Sequence, residues 1–157
     1  MSTDTDALTV TRSITVNASR ERAFTVFTEK FFTWWPKTHH IGEAEMADAV
    51  IEPRVGGRWY ERGTDGAECE WGEVLAYDPP ARIVLSWHLQ GDWRYDPDPA
   101  KASEVEVEFT KGTDGRTTVV LTHRHLDRHG DEGAVYRGVD APGGWPGILA
   151  DYAEACS

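Results

Sequence analysis

Residues 8–16 (LTVTRSITV) alternate apolar and polar, the period of a half-buried strand. Leu8, Val10, Ile14 and Val16 share one face, on which Arg12 is the exception. Asn17-Ala18-Ser19 ends the alternation, and Ser19 is a candidate N-cap for a helix whose first turn carries Glu21. Ala23, Phe24, Phe27 and Phe31 keep helical spacing. That helix cannot pass Trp35, because Pro36 has no amide hydrogen and restricts the residue before it.

From residue 48 to residue 125 alternating runs are separated by turn signals, the pattern of an antiparallel meander. Ala49-Val50-Ile51 precedes Pro53, and Gly56-Gly57 turns the chain into Arg58-Trp59-Tyr60-Glu61-Arg62. Asp65-Gly66 is a hairpin signal. Cys69, Trp71 and Leu75 are expected on one face, opposite Glu70, Gly72 and Val74. Ile83, Leu85, Trp87 and Leu89 mark a one-sided strand, and Val105, Val107 and Phe109 another. In the last strand Val119 and Leu121 are in phase with His123 and His125. Two stretches are irregular, residues 91–102 and the glycine-rich 127–144. After them Trp145, Ile148, Leu149, Tyr152 and Cys156 recur at helical spacing, which makes a one-faced helix over about 145–156.

The order strand, helix, about six strands, helix predicts an α+β fold. A curved antiparallel sheet of about six or seven strands would wrap the C-terminal helix, with one or two short helices after the first strand. The terminal helix is the element left to cover the apolar face of that sheet, and strong curvature would leave a hollow between them. At 157 residues, without repeats or a linker, residues 1–157 read as one domain. The two cysteines, Cys69 and Cys156, have no CxxC partners and read as thiols of a reducing cytoplasm. No segment has the apolar length of a membrane helix, and the start of the chain is polar and acidic. A net charge of −11 disfavours nucleic acid and anionic lipid as partners. Seven tryptophans are more informative, because indoles belong in a core, a pocket or an interface.

Particular residues then carry a resemblance. Arg12-Ser13-Ile14, Ala18 and the Ser19–Phe27 helix are followed by the pair Trp34-Trp35, by Arg54-Val55-Gly56-Gly57-Arg58-Trp59, and by Trp71 to Leu75 running on to Pro79-Pro80 and Arg82 to Trp87. In order and spacing these resemble the SRPBCC, or START-like, helix-grip superfamily, and within it the branch named after the activator of heat-shock-protein-90 ATPase. The resemblance implies a pocket that in relatives holds lipids, hormones, polyketides or other mostly apolar molecules. It spans carriers, cyclases and a chaperone-regulating domain, so it fixes no single chemistry. The separate N-terminal domain of the protein that names the branch has no room in this chain.

The expected ligand site combines Phe27, Trp35, Trp59, Trp71, Trp87, Phe109, His123, Trp145, Leu149 and Tyr152. The alternative for the indoles is plain core filling. Trp93 and Tyr95 read as a loop packed by its own aromatics, with a lid as the alternative. His123, His125 and His129 are the one conceivable metal cluster. The segment is polar and leaves its strand there, so no metal and no cofactor is expected, and His123 is read as a hydrogen-bonding group near the pocket. His39-His40 reads as a solvated loop. Arg54 and Arg58 flank glycines that no helix follows, so they pair with surface carboxylates and bind no phosphate. Arg12 either ends near the rim of its strand or carries a partner such as Glu73, because a buried charge needs one. Glu104, Glu106 and Glu108 read as a solvated strand face, Cys69 as a small buried hydrophobe, and Cys156 as the frayed end of its helix. No Ser-His-Asp or Cys-His set assembles, so no catalytic residue is assigned. Glu73, His123 and Tyr152 are the side chains to test.

The leading expectation is a binding or carrier domain for a lipid-like or aromatic molecule. The alternatives are a cyclase or dehydratase using the same pocket and a chaperone-interacting regulator. The partner is then a small apolar molecule, without nucleic acid or membrane insertion, and a homodimer or a chaperone partner stays open.

Overall fold

The computed structural model describes residues 9–37, 39–90, 94–129 and 134–157. Strand β1 (Val10–Val16) leads into helices α1 (Arg20–Thr28) and α2 (Phe31–Trp34). Strands β2 (Met46–Ile51), β3 (Arg58–Gly63), β4 (Glu68–Asp78), β5 (Arg82–Trp87), β6 (Ser103–Lys111) and β7 (Thr117–Arg124) follow. Helices α3 (Ala134–Asp140) and α4 (Trp145–Cys156) complete the chain. All pairings are antiparallel, in the order β1-β7-β6-β5-β4-β3-β2. The sheet curls into a half-barrel around the helices, the α+β helix-grip arrangement.

The helices sit where local chemistry puts them. Ser19 caps α1, its Oγ accepting from the Arg22 amide at 3.1 Å. Helix α2 ends at Trp35, one residue before Pro36. Helix α4 buries Trp145, Ile148, Leu149, Tyr152 and Cys156, and packs on β1, α1 and α2. Tyr152 Oη donates to the Ala23 carbonyl of α1 at 2.7 Å. Cys156 does not fray: it is 1% exposed, and its carbonyl accepts from Arg22 Nε at 3.3 Å.

Strand β4 departs from simple alternation. Trp59 pairs with Gly72 and Tyr60 with Glu70, so Trp71 is skipped, and a second irregularity skips Leu75 between the pairs Val74–Leu85 and Ala76–Val84. The inward face therefore runs Trp71, Gly72, Val74, and Leu75 turns outward, 40% exposed, reversing the expected places of Val74 and Leu75. Such bulges add twist and bend the strand. Gly72 is required at the bend, because a Cβ there would stand 1.8 Å from the Ser86 carbonyl oxygen.

The outer face of the sheet is a ladder of ion pairs and more than a solvated stripe. Glu106 accepts from Arg82 Nε at 2.5 Å and Arg124 Nη1 at 3.0 Å, and Arg124 also reaches Glu104 at 3.0 Å. Arg58 pairs with Glu68 at 2.8 Å and Glu70 at 2.7 Å, and Arg54 with Glu52 at 3.1 Å. Of the two expectations for Arg12, a place near the strand's rim or a partner such as Glu73, the structure shows a partly exposed side chain whose partner is Asp140 of α3. Glu73 is exposed on β4. Cys69 is only partly buried, on the same strand.

Candidate functional site

Five indoles, four from β3, β4, β5 and α4 and one from the residue just after α2, close a circuit inside the half-barrel. The ring centroids lie 5.3 Å apart for Trp35–Trp71, 5.5 Å for Trp71–Trp59, 5.7 Å for Trp59–Trp87, 5.9 Å for Trp87–Trp145 and 6.1 Å for Trp145–Trp35. Phe31 stacks on Trp35 at 4.9 Å and supports it from α2. Edge-on and tilted contacts of this kind suit the aromatic quadrupole and hold the rings in place.

Four of these indoles, Trp35, Trp71, Trp87 and Trp145, line a cavity of about 280 Å³. Ile41, Leu89, Val139 and Ile148 add aliphatic surface, and His39, His40, Gly143 and Gly144 also contribute to the lining. Of the other residues expected at a pocket, Trp59 and His123 stand behind the wall. Phe27, Phe109, Leu149 and Tyr152 belong to the solid core away from the cavity. The reason is α1, which fills that half of the concavity. Phe27 packs 6.0 Å from Phe109 and 5.3 Å from Tyr152, in edge-on contacts between helix and sheet. Burial pushes the Tyr152 phenol well above its ordinary range, and its hydroxyl is spent on Ala23. Tyr95 bridges to Leu89 and stacks 5.3 Å from His88 on the outside. Trp93, read with it as a loop or lid, lies outside the described residues.

A polar chain braces the wall from behind. Trp145 Nε1 donates to His123 Nδ1 at 3.0 Å, which leaves the proton of that neutral ring on Nε2. His123 Nε2 then donates to Ser103 Oγ at 2.7 Å, and Ser103 donates to His129 Nε2 at 2.8 Å. His129 Nδ1 meets Gln90 Oε1 at 3.2 Å, and Gln90 donates to the His88 and Lys101 carbonyls at 2.9 and 3.1 Å. Burial, with a smaller contribution from His129, lowers the His123 pKa to about 3, so the ring stays neutral. His125 does not join His123 on one strand face: β7 has ended, and His125 turns away with φ 61°. Among the described residues no three metal-binding side chains converge.

A second polar element grips the cavity from the opposite side. Glu61 is 0% exposed, and its Oε1 accepts from Trp71 Nε1 at 2.9 Å and from the Ile41 amide at 2.6 Å. Its Oε2 accepts from the Gly42 amide at 3.2 Å. A buried carboxylate needs such donors, and this one fixes a wall indole and the loop beyond α2 together. That loop carries His39 and His40, which border the cavity although a solvated loop was expected. His39 Nε2 is 2.9 Å from the Gly143 carbonyl and His40 Nδ1 is 2.9 Å from the Gly42 carbonyl. Sequence reasoning missed Glu61, although alternation from Trp59 already places it inward. Ser103 was equally legible, in phase with Val105 and Val107. Nothing local marks His39 or His40, whose setting depends on β3 and α4.

Among the described residues, no helix is long and apolar enough to cross a membrane. A comparison with curated proteins finds no match. Among solved structures, the chain is 43% identical to an anthrahydroquino-γ-pyrone synthase, Txn09, covering 93% of this chain and 95% of that one with a TM-score of 0.67. It is 34% identical to CalC, a self-sacrificing resistance protein from Micromonospora echinospora, covering 94% and 93% with a TM-score of 0.71. Protein MLL2253 from Mesorhizobium loti, 20% identical over 93% and 94% with a TM-score of 0.64, shares the fold. The sequence profile of the activator of Hsp90 ATPase homolog 1-like proteins matches residues 17–154, and with nearly nine-tenths of its length inside that match and its helix-grip architecture, the chain belongs to this family.

Proposed function

We propose that this chain binds a planar, mostly apolar aromatic molecule in the cavity bounded by Trp35, Trp71, Trp87 and Trp145. The observation that carries the reading is the convergence of four indoles on one hollow of about 280 Å³. Ligand pockets run from about 300 to 1,000 Å³ and are mostly apolar with a few placed polar groups. This hollow is at the small end, which favours a compact fused-ring compound over a long lipid chain. Flat π surfaces held by edge contacts offer stacking to such a ring system and few groups to a sugar or nucleotide. The 43% identity to a protein described as an anthrahydroquino-γ-pyrone synthase supports the same ligand class.

That identity also supports a second reading, in which the chain promotes ring closure of the molecule it binds. His39 and His40 at the cavity are the side chains that favour it, because imidazoles can move protons there. A chaperone-directed role draws no support from the indoles, since the six described ones are all 4% exposed or less. The two free thiols support a reducing, cytoplasmic setting.

The test is titration with anthraquinone while following tryptophan emission, with native mass spectrometry for stoichiometry. One molecule should bind per chain and quench the emission. Trp87→Phe should weaken binding about 2- to 12-fold, the range of one aromatic contact, without unfolding the domain. A folded chain whose emission no planar aromatic compound quenches would make the indoles core filling.

A further inference from the structure

The loop between α2 and β2 brings to the cavity an imidazole whose open nitrogen the backbone specifies. His40 lines the cavity with its ring half-buried. Its Nδ1 lies 2.9 Å from the Gly42 carbonyl oxygen. A carbonyl only accepts, so in the neutral ring Nδ1 carries the proton and Nε2 keeps a lone pair. Among the described residues Nε2 has no partner.

The carbonyl that sets this tautomer is itself held. Gly42 N donates to Glu61 Oε2 at 3.2 Å and Ile41 N to Glu61 Oε1 at 2.6 Å, so two successive peptides hang on one fully buried carboxylate. Space there is tight, since a Cβ on Gly42 would lie 3.2 Å from Glu61 Oε2. The same carboxylate takes Trp71 Nε1 at 2.9 Å, which fixes the acceptor nitrogen relative to the indole wall.

We propose that His40 Nε2 accepts a hydrogen bond from a hydroxyl on the edge of the ligand, so that the site selects phenolic polycycles. The fused rings lie against Trp35, Trp71, Trp87 and Trp145, the hydroxyl meets His40, and Glu61 is the positioning residue. A lone pair aimed at the ligand repels carbonyl and carboxylate oxygens and rewards a donor. The chain's charge of −11 further disfavours acidic ligands. This assignment rests on the aromatic-binding function proposed above and adds to it the polar edge of the molecule.

The experiment compares anthraquinone with 2-hydroxyanthraquinone, buffered where the free hydroxyl is protonated. Dissociation constants come from tryptophan quenching, and the visible band of the hydroxylated probe reports the state of its O–H. The unaltered chain should bind 2-hydroxyanthraquinone about tenfold tighter than anthraquinone, as one additional hydrogen bond allows, and should red-shift its band. His40→Phe should bring the affinity ratio to about one and abolish the red-shift. Glu61→Gln should reduce the red-shift, because one of its acceptors becomes an amide donor facing N–H groups. If that variant fails to fold, His40→Phe decides alone. Equal affinities in the unaltered chain would overturn the His40 assignment and leave aromatic binding standing. So would a ratio and red-shift that survive His40→Phe. A full red-shift in folded Glu61→Gln would overturn the positioning role. If neither probe quenches the folded chain, the binding function and this assignment fall together.

Discussion

His123→Gln separates a buried, neutral histidine from every other source of acid sensitivity in the chain. The glutamine side chain can still accept from Trp145 Nε1 and donate to Ser103 Oγ, yet it cannot titrate. In the folded chain the His123 pKa is lowered to about 3 from an ordinary 6.5, because burial disfavours the charged ring and His129 adds to the effect. A depressed folded-state pKa means that the unfolded chain binds the proton first as the pH falls. The stabilisation is therefore complete above 6.5 and is lost progressively down to about 3. The slope is about 1.4 kcal/mol per pH unit, which from pH 7.5 to 4.5 sums to about 2.7 kcal/mol. Urea unfolding followed by tryptophan emission at several pH values measures it. At pH 7.5 the variant should be less stable by about 1–2 kcal/mol, having lost the ring's contact with Trp87 at 5.1 Å. Acidification should erase and then reverse that gap, because only the unaltered chain carries the His123 linkage. With a urea m-value of about 2 kcal/mol/M, the difference in midpoints should move by about 1.3 M between the two pH values. The carboxylates are present in both proteins and cancel in the difference, and the comparison is repeated in a His129→Gln background, because His129 is linked to His123 through Ser103. Midpoints that fall in parallel with pH would refute the neutral, buried assignment of His123.

Leu149, 3% exposed on α4, belongs to the hydrophobic core, so Leu149→Asp should lower stability by about 4 kcal/mol or more, read from the urea midpoint. An unchanged melting temperature would contradict the seat of α4 in the sheet. Gly72→Ala should cost about 3 kcal/mol or more, since a Cβ 1.8 Å from the Ser86 carbonyl must push β4 from β5. A neutral effect in thermal unfolding would contradict the bulge geometry.

Legibility in the sequence followed the range of the forces involved. Strands β5, β6 and β7 and helix α4 announce themselves because each needs only its own period and one apolar face. Helix α1 was equally visible, with Ser19 at its cap, yet its depth was not. Phe27 fills the concavity beside Phe109 and Tyr152, a fact of packing between distant segments. The exchange of Val74 and Leu75 came from bulges beside Gly72, whose missing side chain lets β4 lie against Ser86 across the β4–β5 pair. Glu61 was in the inward phase, but a carboxylate is credible there only once donors are known. These come from Ile41, Gly42 and Trp71, far apart along the chain. His39 and His40 gain their place from Gly143 and Gly42 carbonyls that no local pattern announces.

Among the described residues the only strand paired with residues 10–16 is that of residues 117–123, so the first strand of the sheet waits for the last. Closing a loop of about a hundred residues costs entropy that only long-range pairing repays, which places the domain among slow-folding topologies. On the ribosome, β2 to β6 can zip in order as a meander. Strand β1 and the helices behind it must wait with apolar faces uncovered until β7 emerges. Trp145, which lines the cavity, emerges later still. The aromatic ligand proposed above would therefore add its binding energy only once α4 is seated in the sheet, and to no earlier intermediate.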